Sequence, residues 1–85
     1  MRDEILRAKG RLSEARRKRS ELSLEGKGLL ILLRDCLDPY EPDLAKLHLP
    51  EAGANMTRLV AIHAELRTLD ARIAELAEAL GDGNG

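Results

Sequence analysis

Aromatic residues are almost missing from this chain: Tyr40 is the only one among 85 residues, with no phenylalanine and no tryptophan. A core without rings must be filled by Leu, Ile, Val and Ala, and no row of rings exists on which unpaired bases could stack, which argues against a single-strand platform. Cysteine is equally scarce. Cys36 stands alone and cannot close an internal disulfide. The three prolines fall together at positions 39, 42 and 50, so proline interrupts a helix nowhere else. Long apolar runs are also missing. The longest, Leu29 to Leu33, is far short of the roughly 20 residues that span a bilayer, and no membrane role is expected. The charged opening MRDEILRAKGR has no apolar stretch of the kind a signal peptide carries, so the cytoplasm is the expected location.

What remains is a chain of aliphatic and charged residues with a net charge of only -1. The balance hides an asymmetry. Residues 1 to 28 hold nine Lys/Arg against five Asp/Glu, and residues 29 to 85 hold five against ten, giving +4 and -5. The apolar residues follow a heptad. Taking Ile5 as position a, the a and d sites run through Ala8, Leu12, Ala15, Arg19, Leu22, Gly26, Leu29, Leu33 and Cys36, with Arg19 the single charge. A second segment places Leu59, Ile62, Leu66, Leu69, Ile73, Leu76 and Leu80 on successive a and d sites without interruption. The prolines between them forbid one continuous rod.

The expected fold is all-α: a coiled-coil hairpin of two long antiparallel helices, about 2–38 and 55–80, within a single domain. A proline-rich linker, 39–54, joins them through a short helical turn within Pro42 to Leu47, and the tail 81–85 should fray. Asn55 is a candidate N-cap for the second helix, although a start nearer Glu51 fits equally well. The first helix should pass through Gly26 and Gly28, because the heptad phase does not shift there. In an antiparallel pairing whose residue numbers sum to about 88, the prolines fall in the turn and small residues face large ones. Gly26 then meets Ile62 and Ala15 meets Ile73. This register also makes Arg16 and Asp70 candidate partners and sets Arg19 against Leu69, where its long side chain should turn outward to water. Tyr40 is expected to plug the end of the bundle, helped by Leu44, Leu47 and Leu49.

Two features suggest binding. The stretch EARRKRSE belongs to a basic group in which Arg7, Arg11, Arg16, Arg17, Lys18 and Arg19 are the candidate nucleic-acid contacts, since cations that neutralise phosphates release counterions and gain affinity. Glu14 and Glu21 interrupt that group, and a solvated, internally paired helix face carries more weight. The second feature is GLLILLRDCL. Its Leu29, Leu30, Ile31, Leu32, Leu33 and Leu37 surround the helix on all sides, whereas a two-helix hairpin covers one side only. Either the segment 42–54 folds back over Leu30 and Leu37 or a second chain covers them; a partner surface built from these six residues is expected, and with it a homo-oligomer, a dimer favoured, or a different protein partner.

No catalytic, metal or cofactor motif is present in the sequence. Cys36 has no neighbouring base to activate it, His48 and His63 lack ligand partners at helical spacing, and EGKG lacks the spacing of a phosphate loop. The expected function is therefore a non-enzymatic interaction, adaptor or oligomerisation module, with a small nucleic-acid-binding regulator as the alternative.

Overall fold

A computed structural model describes residues 2–81. Helix α1 covers Arg2–Cys36, a single 3-10 turn covers Leu44–Lys46, and helix α2 covers Leu49–Ala79. The described residues form an antiparallel helical hairpin 64 Å long and 19 by 14 Å across. Its radius of gyration, 18.8 Å, compares with about 12 Å for a compact domain of this length. A thin rod of this kind has little interior. Its buried apolar residues are Leu12, Ala15, Leu22, Leu33, Ala52 and Ile62, with Gly26 buried among them.

All of these belong to the heptad seam, and the register is the expected one. A methyl group placed on Gly26 would sit 3.5 Å from both Ile62 Cγ2 and Leu59 Cδ1. Helix α1 is continuous through Gly26 and Gly28, as the unbroken phase implied. Asp3 and Glu4 in its first turn and Arg34 in its last complement the helix dipole.

The ends differ from the sequence expectation. Helix α1 stops at Cys36, two residues early, because Asp38 precedes Pro39 and takes up a turn instead, its carboxylate accepting the Tyr40 N–H at 2.9 Å. Helix α2 begins at Leu49, six residues before Asn55. Pro50 in the first turn lacks an N–H that would have no helical partner there, so it starts the helix rather than blocking it. The apolar stripe consequently extends one heptad further back, to buried Ala52 and half-buried Asn55. Asp43 caps the short turn by accepting from the Ala45 N–H at 3.0 Å. Gly81 closes α2 with φ 69°, and its N–H donates to the Glu78 carbonyl at 3.0 Å. The rest of the tail expected to fray, 82–85, lies outside the described residues.

Two expectations about the turn are overturned. Tyr40 is 90% exposed and plugs nothing, since the register sets Ala52 opposite Cys36 and a buried alanine already closes the last layer of the seam. Leu44 is 72% exposed and Leu49 is also exposed, leaving half-buried Leu47 as the only cover that the three leucines provide.

Candidate interaction surface

Helix α1 divides the six residues of the expected partner surface between two roles. Leu33 and Leu29 sit on a and d sites and belong to the internal seam, Leu33 fully buried and Leu29 half-buried. Leu30, Ile31, Leu32 and Leu37 lie off it and are exposed. The segment 42–54 does not fold back over them. What sequence reasoning missed is Met56 on α2, which flanks the seam one turn beyond Ala52 and is 46% exposed. Leu30, Leu37 and Met56 share the e positions of the two helices, on one side of the seam. The heptad phase already placed Met56 there, but its relevance appears only once α2 is known to begin at Leu49.

Leu30, Leu33, Leu37, Pro39, Tyr40 and Met56 line an open hollow of about 610 Å³ at the turn end. Arg34, Asp35 and Asp38 complete its walls. Leu30 is shared with a second hollow of about 290 Å³, formed over Gly26 by Leu59, Ile62, His63 and Leu66 together with Ser23 and Lys27. Gly26 lies among its lining residues, with Ile62 and Leu59 packed close against its backbone. The result is an apolar trough along one face of the turn-proximal half.

The opposite half of the rod is charged. Arg7, Arg11 and Lys18 of α1 line a cleft of about 690 Å³ together with Arg72 of α2, whose floor includes Gly10, Ala15 and Leu69. Glu14 also lines this cleft, but it accepts from Arg17 Nη2 at 2.7 Å. Arg17 in turn lies 3.6 Å from Glu21. Of the six candidate phosphate contacts, the fold thus gathers Arg7, Arg11 and Lys18 and adds Arg72, which sequence reasoning did not select. Arg17 is engaged with its own helix.

Arg19 is engaged with the other helix. Its guanidinium turns out of the seam and holds Asp70, Nε donating to Oδ1 and Nη2 to Oδ2, the latter at 3.3 Å. Arg19 therefore takes the partner expected for Arg16. An a-site arginine facing Leu69 cannot leave its charge in the seam, and the adjacent Asp70 is the nearest acid it can reach. A second bidentate pair, on the other side of the seam, joins Arg58 to Glu25 at 2.8 and 3.0 Å.

In both pairs the hydrogen bond from the guanidinium, reinforced by its charge, pulls the carboxylate pKa down. Asp70 lies below its ordinary 3.8 and Glu25 below its ordinary 4.5. Each folded value is depressed, so the stabilisation is present above those ordinary values and is lost as the pH falls through the lowered ones. The melting temperature should therefore drop on strong acidification, and it should drop less in an Asp70→Asn, Glu25→Gln variant. Equal acid sensitivity in parent and variant would show that these bridges contribute nothing. All four side chains are close to half exposed, so added salt should weaken the effect.

Among the described residues, no three His, Cys, Asp or Glu side chains converge on a metal site, and no helix is long and apolar enough to cross a membrane. Cys36 is half-buried at the end of α1. The class that this geometry defines is an antiparallel two-helix coiled-coil hairpin with an apolar face at its turn and a basic cleft between its outer halves. No protein-family model, curated protein or solved structure matches the chain.

Proposed function

We propose that this hairpin is a non-enzymatic interaction module, an adaptor or oligomerisation unit, and that its docking surface is the turn-end apolar trough. The observation that carries this reading is the exposure of Leu30 at 53% and Met56 at 46%, side by side in a trough with Leu37. Apolar groups so clustered lose free energy when a partner removes them from water, at about 25 cal/mol per Å². Two ion pairs, Arg19 with Asp70 and Arg58 with Glu25, by contrast, join the two helices outside this trough. Replacing Leu30 and Met56 by Glu should lower the molar mass measured by light scattering while leaving helix content intact, because neither side chain belongs to the buried seam. An assembly of unchanged mass would retire this face as the docking surface.

A second reading, a small nucleic-acid-binding regulator, gains one point from the structure: Arg72 completes a four-cation cleft that spans both helices. The near-zero net charge and the acids of α2 weigh against it. The interaction-module reading expects no measurable duplex binding at physiological salt. Under the regulator reading, duplex affinity falls steeply with salt, and replacing Arg11 and Lys18 by Gln lowers the slope by about one to two units. An anisotropy titration over a range of salt concentrations distinguishes them.

A further inference from the structure

We infer that the occupant of the turn-end trough is a second copy of this chain, docked about a two-fold axis so that each hairpin presents the same patch to the other. The inference rests on the reading of that trough as the docking surface and adds the identity of the partner. The first argument is area. The hairpin exposes 6769 Å², whereas a compact monomer of 9.4 kDa exposes about 5,000 Å². A standard interface hides about 800 Å² on each partner, and the excess, although spread along the whole 64 Å rod, is larger than that.

The second argument is charge. Arg34, Asp35 and Asp38 all lie in the walls of the hollow and are exposed, and none of them joins an ion pair within the hairpin among the described residues. A two-fold rotation brings the cation of one copy to the acids of the other, twice over, so the patch is its own electrostatic complement. A patch of one sign would repel its copy. The third argument is Tyr40, the only Phe, Tyr or Trp of the chain, which stands 90% exposed at the edge of the same hollow. Tyrosine exposed beside an apolar pocket is the kind of anchor that interfaces bury.

The test combines mass with charge exchange. Light scattering should give twice 9.4 kDa, falling to 9.4 kDa on dilution. Emission from Tyr40 should change over the same concentration range, with no tryptophan to obscure it. Arg34→Glu alone and Asp35→Arg alone should each be monomeric, and an equal mixture of the two should recover the doubled mass, because only the mixed pair sets opposite charges against each other. Circular dichroism checks that each variant remains helical, and Arg34→Gln, which weakens the contact without reversing it, replaces any variant that does not fold. A doubled mass in which the mixture recovers nothing overturns the two-fold docking. A mass of three or more copies overturns the dimer. If the parent stays at 9.4 kDa but still binds an apolar dye that Leu30→Glu abolishes, the second copy is wrong and the docking face stands. If the parent is dimeric and the Leu30→Glu, Met56→Glu variant is equally so, the docking face itself is wrong.

Discussion

Ile62→Ala should destabilise the hairpin by about 2 to 5 kcal/mol, the usual cost of truncating a fully buried aliphatic side chain. Ile62 is the most deeply buried large side chain, 1% exposed, and it faces Gly26, where an added Cβ would stand 3.5 Å from the Ile62 Cγ2 methyl. A glycine has no side chain to move into the vacated space, so the void persists and the dispersion attraction across it is forfeited. For a chain of this size each kcal/mol lowers the melting temperature by about 4 to 8 °C, which makes the effect easy to read at one fixed protein concentration. A melting temperature equal to the parent's would mean that Gly26 and Ile62 do not face each other, and the register with them would fall.

Gly28→Pro should cost about 3 kcal/mol or more, since proline inside a helix removes a hydrogen bond and collides with the preceding turn. Position 28 lies well within Arg2–Cys36, where every backbone N–H is needed. Gly28→Ala is the control. Nothing lies within 4 Å of a Cβ built there, so alanine should fit freely and stabilise the helix by up to about 1 kcal/mol. Opposite signs for the two substitutions are the mark of a continuous helix. If LEGKG were instead a break between two helices, proline would be tolerated, and tolerance measured by thermal melting would refute the single 35-residue element.

The seam was legible from the sequence because a repeat of 3.5 residues is a local property. Leu12, Leu22, Leu33 and Ile62 announce their burial by spacing alone, and the phase carried through Gly26 told correctly that the helix does not break. The start of α2 was harder to read. Pro50 signals a stop when it lies within a helix and a start when it lies in the first turn, and the sequence is compatible with both. Charge partners were less legible still. Arg16 and Arg19 are three residues apart on the same helix, and only the rotation of that helix against α2 decides which of them reaches Asp70.

Composition, periodicity and the clustered prolines by themselves determined the all-α class, the antiparallel hairpin and its register, because they dictate which residues must leave water, how far apart these stand and where the chain has to turn. Only the tertiary structure decided which apolar residues remain uncovered. Leu44 and Leu49 were expected to cover the turn end, yet both are exposed, and Leu30 and Leu37 stay open beside it. The tertiary structure also separated Tyr40 from the core and brought Arg72 of α2 to Arg11 and Lys18 of α1. The reason is geometric: a single helix dictates which side its own residues occupy, but what lies across from that side depends on a second element distant in the chain, and with two helices only one side of each finds cover.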